Sequence, residues 1–141
     1  MRKIFIAIIF FCGMILTTTA NAANWVSFGS DNFGNEYFID TLSVNVEETG
    51  LDLLVFNADF KTVFSDEGRK VFSSDTLGEA ISVCSFKQKG RIKLISTVST
   101  KYYALDGTVI SEDDEQSTWQ AVKPNSLLQV MYDTAYSYLN L

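Results

Sequence analysis

Residues 81–93 read "ISVCSFKQKGRIK", and the way this stretch pairs with itself decides the fold. Two runs of strand character flank "QKG", so the segment reads as a β-hairpin that turns there. A three-residue loop, Gln88 to Gly90, with Gly90 left-handed, sets Lys87 opposite Arg91, Phe86 opposite Ile92 and Cys84 opposite Leu94. One face then holds Cys84, Phe86, Ile92 and Leu94, and the other Ser85, Lys87, Arg91 and Lys93. A two-residue loop that pairs Phe86 with Lys93 sorts apolar from charged less well. Cys84 is therefore expected to face the core.

The neighbouring segments repeat the strand pattern. "LSVNV" (42–46) alternates strictly, and "LDLLVFNADF" (51–60) is almost continuously apolar, as a strand covered on both faces should be. "SDNFGNE" (30–36) supplies hairpin-turn residues, and "EETG" and "SDEG" punctuate the next two gaps. After Pro124 the period changes. In "SLLQVMYDTAYSYLN" the residues Leu127, Leu128, Met131, Ala135, Tyr138 and Leu139 recur at helical spacing, with Ser126 as N-cap and Pro124 outside the helix. The expected architecture is α+β: an antiparallel β-sheet of about six strands with one C-terminal α-helix packed on it. Leu128, Met131, Ala135 and Leu139 are expected to pack over Cys84.

Residues 1–22 have the form of a secretory signal peptide. "MRK" is a positive start, "IFIAIIFFCGMIL" an apolar run of thirteen, and Ala20 with Ala22 an A-x-A cleavage signal. Such a run rises only about 20 Å as a helix, against roughly 30 Å of bilayer hydrocarbon, so no membrane span is expected. Phe10 and Phe11 precede Cys12 where lipid processing requires small residues, so the protein is expected not to be lipidated. Its location is then periplasmic or extracellular. Residues 23–141 form one domain, long enough to bury a core.

With Arg2 and Lys3 set aside, nine basic residues stand against seventeen acidic ones, a net charge of −8. Nucleic acid is not an expected partner of such a surface. Histidine is absent, which removes Ser-His-Asp and Cys-His nucleophilic sites and the usual zinc and haem ligand sets. No carboxylate pair stands at a spacing that marks catalysis. The chain is read as no enzyme, with no catalytic residue, metal or cofactor.

Lys87, Lys89, Arg91 and Lys93 are the one cationic cluster, a candidate grip for an anionic partner or a solvated turn that resists edge-to-edge aggregation. The run "SEDDE" (111–115) lacks the ligand alternation and glycine of an EF-hand, and Phe33 spoils a ligand slot in "DNFGNE"; both read as solvated loops. Trp25 and Trp119, with the tyrosines and phenylalanines, read as structural aromatics before they read as a pocket. An unpaired exported cysteine has a second fate, an intermolecular disulfide, so a homodimer stays open beside a protein partner of unspecified identity.

The order of these pieces resembles the surface-adhesin protein E-like family of Gram-negative exported proteins. "NWV" near the mature start is followed by "YFIDTLSV", where the family has a Tyr-Tyr-x-Asp-x-x-Ser pattern, and by "FNADFK". Then come the cysteine with its basic stretch, "KYYALDGTVI", and "TWQAVKPNS" leading into the helix. The resemblance implies an antiparallel sheet with a C-terminal helix and adhesion to host proteins. It departs at three places: Val83 replaces an Asp, Asn125 a Gly, and Ala135 or Tyr136 a second cysteine that would bridge to the first. The function expected is a non-catalytic exported binding module, adhesin-like by this resemblance. The alternative is a periplasmic inhibitor or immunity-type protein that binds a basic enzyme.

Overall fold

The three longest strands carry the densest apolar pattern and form the middle of the sheet. A computed structural model describes residues 22–140; the leader up to Asn21, with Cys12, lies outside the described residues. Strands β1 (Trp25–Ser30), β2 (Glu36–Asp40), β3 (Asn45–Gly50) and β4 (Leu53–Val63) precede a short helix, α1 (Asp66–Val71). Strands β5 (Leu77–Lys89), β6 (Ile92–Ala104), β7 (Val109–Asp113) and β8 (Gln120–Ala121) follow, then helix α2 (Leu127–Ser137). The path β1-β2-β4-β5-β6-β7 is antiparallel throughout. β3 adds to the same edge of β4 as β2, and β8 to the same edge of β6 as β7. Among the described residues the architecture is thus a mostly antiparallel sheet of eight strands with two short helices, where about six strands and one helix were expected.

The helix that the sequence missed begins inside "SDEG". Ser65 is its N-cap and accepts from Gly68 N at 3.0 Å, Asp66 and Glu67 fill the first turn, and Arg69 and Lys70 the last. That is a capped, dipole-matched helix start that resembles turn chemistry in a short window. Two strand boundaries also differ. Residues 41–43 form a turn, in which Asp40 accepts from Leu42 N at 3.0 Å, and "EETG" lies within β3.

The hairpin register is corrected as well. The loop has two residues, Gly90 and Arg91, with Gly90 at φ +59°, so Lys89 faces Ile92, Phe86 faces Ile95 and Cys84 faces Thr97. Cys84 and Phe86 point into the core as expected, but Ile95 joins them in place of Ile92, which is 61% exposed. The cause is the third strand. Phe86 lies opposite Phe56 in β4, their rings stacked at 4.9 Å, and Ile95 completes that row across β6. Gly90 N also donates to Asp52 O at 2.9 Å, tying the tip to the β3–β4 turn.

Helix α2 covers this row. Tyr132 and Ala135 are buried in the same cluster as Phe56, Ala58, Cys84 and Phe86, with Leu128, Met131 and Leu139 packed against it. Burying each large side chain here is worth roughly 1.5–3 kcal/mol. Tyr132, absent from the expected apolar stripe, is central: its ring meets Phe56 and Phe86 edge-on at 5.3 and 5.7 Å, and its hydroxyl donates to Gln88 Oε1 at 2.6 Å. Leu127 and Tyr138 are largely exposed instead. Ser126 caps the helix as expected, accepting from Gln129 N at 3.2 Å, and Asn125 before it takes the left-handed φ of +59°. Asparagine tolerates that conformation better than most residues other than glycine.

Candidate functional site

Helix α2 is too short to cover the face it packs on. Eleven residues make a helix about 16 Å long, whereas the thirteen-residue β5 runs about 43 Å. The far part of that face, carrying Thr62 of β4, Ala80 and Ser82 of β5, and Thr100 and Tyr102 of β6, becomes the floor of an open groove. Ser82 and Thr100 are hydrogen-bonded through their hydroxyls at 2.9 Å, which leaves one hydroxyl hydrogen free for other acceptors.

Separate segments build the walls. The β1–β2 loop contributes Asp31, Phe33 and Asn35; Val71 of α1 and Phe72, just after it, stand on a second side; Leu127 of α2 closes a third. This half holds about 400 Å³. A second half of about 460 Å³ continues past Asp31, Tyr37 and Leu127 to Phe28 and Val130. The rim is apolar and open to solvent, with exposure running from 44% at Leu127 to 58% at Phe72. Apolar side chains gathered at the mouth of a groove with a hydroxyl floor are the usual character of a binding site.

Asp31 anchors the wall. Its Oδ1 accepts from the backbone N–H groups of Phe33 and Asn35 at 3.0 Å each, and its Oδ2 from Asn35 Nδ2 at 3.0 Å and the Tyr37 hydroxyl at 2.6 Å. Desolvation, the largest single influence, pushes its carboxyl up, but these hydrogen bonds together hold it below the usual carboxylate range. Tyr37 is pushed up to about 12 by burial first and then by the bonded, charged Asp31. The phenol is therefore a fixed donor and supplies no base near neutral pH. Asn35, buried behind them, accepts from Ser65 N at 2.9 Å and so joins this loop to the cap of α1. The arrangement fixes one wall of a groove that can hold a ligand.

The basic tip is arranged differently from the sequence expectation. Lys87 points to the face opposite Phe86, where its Nζ lies 4.5 Å from the centre of the Trp119 ring. Lys93 points to the helix face, 4.8 Å from the Tyr132 ring. Lys89 and Arg91 alone stand free at the turn. The four cations are thus divided between two faces and the tip. Trp25 is likewise half-buried on the helix-free face, with Lys61 Nζ 4.6 Å from its ring, so neither tryptophan belongs to the core or lines the groove. Pro124 stays outside α2. Of "SEDDE", Ser111, Glu112 and Asp113 lie in β7 and all five residues are exposed.

The groove escaped the sequence because its walls come from segments up to a hundred residues apart; the one local sign was Asp31 two residues before Phe33 and six before Tyr37. Among the described residues, no three His, Cys, Asp or Glu side chains gather as a metal site, and no helix is long and apolar enough to cross a membrane. No protein-family model matches the chain, and neither curated proteins nor solved structures give a significant match.

Proposed function

We propose that the protein is an exported, non-catalytic binding module that takes its ligand in the groove beyond the N-terminal end of α2. One observation carries this reading: Phe33, Val71, Phe72 and Leu127 are all exposed around the hydroxyl-floored half of the groove, and exposed Val130 borders the half that adjoins it. Scattered apolar residues at a surface need no explanation, but a cluster around a concavity does. The ordered motifs that resemble the surface-adhesin protein E-like family support an adhesin-like role outside the cytoplasm, and the leader supports export.

A solvatochromic neutral dye such as Nile red tests the groove. Its emission should rise and saturate with native protein, and should fall to near background in a Val71→Glu, Leu127→Glu double variant of unchanged melting temperature. Undiminished emission from that variant would place binding elsewhere. Export is tested by intact mass: protein from a periplasmic extract should begin at Ala23, and a species that keeps Met1 or carries lipid on Cys12 would defeat it.

The inhibitor reading keeps one specific support. The outer edge of β7, running into Asp114 and Glu115, exposes three carboxylates in succession after Glu112, which is paired with Lys101 at 3.8 Å, a surface suited to a basic enzyme. Such an association should weaken steeply with added salt.

A further inference from the structure

We propose that the groove binds a small amphipathic cation, an ammonium or guanidinium group joined to an apolar tail, with the charge beside Asp31, Phe28 and Tyr37 and the tail along Phe64 and Phe72. This rests on the binding-module reading and adds the class of ligand. Among the described residues lining the two halves, Asp31 alone is charged, and it sits where they meet. An anion placed there would face a carboxylate with no compensating cation.

The hydrogen bonding of Asp31 narrows the choice further. A carboxylate offers about four acceptor positions, and four donors already occupy them. A neutral ligand gains nothing from it without displacing a donor. A cation gains through its field alone, without a direct hydrogen bond. The rings of Phe28 and Tyr37, 6.1 Å apart and inclined at 31°, stand in the same half and suit a cation that is weakly hydrated.

Two features act in the opposite sense. The N-terminus of α2 borders this half with its partial positive charge, but Ser126 Oγ occupies Gln129 N, and Gln129 Oε1 occupies Asn125 N at 2.7 Å. Arg69 reaches the carbonyl of Phe64 at 2.9 Å, yet it is paired with Asp66. Neither offsets the full charge of Asp31.

The test uses three probes with one tail, decyltrimethylammonium, decyl maltoside and decyl sulfate, each titrated below its micelle concentration into the mature protein. Amide NMR shifts report both the site and the affinity. The cation should bind about tenfold or more tighter than the maltoside, and the sulfate weakest, with shifts at Asp31, Tyr37 and Phe72. Phe33→Gln removes a rim ring, and Phe33→Lys adds a charge at the same position while leaving the backbone N–H to Asp31. The lysine variant should lose about tenfold of the cation's advantage relative to the glutamine variant. Equal binding of all three probes at these residues would overturn the cation and leave the groove as a general apolar site. Shifts confined to residues 111–115 would also overturn it, and no shift at the groove from any probe would overturn the binding-module reading itself.

Discussion

A single atom decides the behaviour of Cys84 and of Gly68. The thiol is 1% exposed and has no partner cysteine among the described residues. Burial pushes its pKa up to about 12, with a contact to Thr97 working against this and the charge of Asp59 adding to it. Since the thiolate is the reactive species, native protein should resist a thiol-labelling reagent that reacts promptly after denaturation, and reductant should leave the melting temperature unchanged. Fast labelling, or a dimer on non-reducing gels, would show an exposed sulfur. Gly68 gives the opposite kind of test. A Cβ there would lie 1.9 Å from Asn35 Oδ1 and displace the side chain that links Ser65 to Asp31. Helix propensity alone would make Gly68→Ala stabilising by up to about 1 kcal/mol. The collision should instead destabilise by about 2 kcal/mol or more in urea unfolding, so the sign of the change identifies the contact. The inward direction of Cys84 was legible because alternation is local; the Gly68 contact was not, because its partner is thirty-three residues away.

Strands and helices were legible where their signals are self-contained, and misread where a neighbour decides. Ser126 and Pro124 marked the start of α2 correctly, since a cap needs no tertiary partner. The β5–β6 register failed because the two strands were paired by their own sorting of charge, whereas the row Phe56–Phe86–Ile95 crosses three strands. That register puts Lys93 on the helix face, tolerable because its ammonium lies over the Tyr132 ring. Exchanging the tip cations for Gln should therefore give unequal costs. Lys89 and Arg91 should each change stability by less than about 0.5 kcal/mol, and Lys87 and Lys93 should each lose about 0.5–1 kcal/mol with their rings. Tyr132→Phe should cost about 1 kcal/mol by leaving Gln88 Oε1 without its donor. Chemical denaturation of the five single variants would show this order, and equal costs at all four tip positions would argue that the lysines are solvated.

At the scale of the molecule, an antiparallel sheet with a C-terminal helix was readable from periodicity, but the groove was not, since it exists only because α2 is shorter than the strands beneath it. The same partial coverage concentrates buried titrating groups on one face and leads to a dependence on alkaline pH. Tyr37 and Tyr132 are each pushed up to about 12 from 10.0, chiefly by burial, and Cys84 to about 12 from 9.0. Each acid holds its proton more tightly in the folded chain than in the unfolded one. Between the unfolded and folded values the native state binds more protons, so stability must fall as pH rises through that window. From about pH 7 the urea midpoint should stay level to about pH 9 and then decline steadily toward about pH 12. Cys84 titrates first in the unfolded chain, so Cys84→Ala should delay the onset of the decline to near pH 10, where the tyrosines take over. The variant's lower starting stability, from the lost sulfur, does not enter, because the measurement is the slope against pH and not the level. A midpoint that stays flat to pH 12, or a decline whose onset Cys84→Ala does not move, would mean that these side chains titrate in the folded protein as they do in the open chain, and that the core under α2 is wetter than its packing indicates.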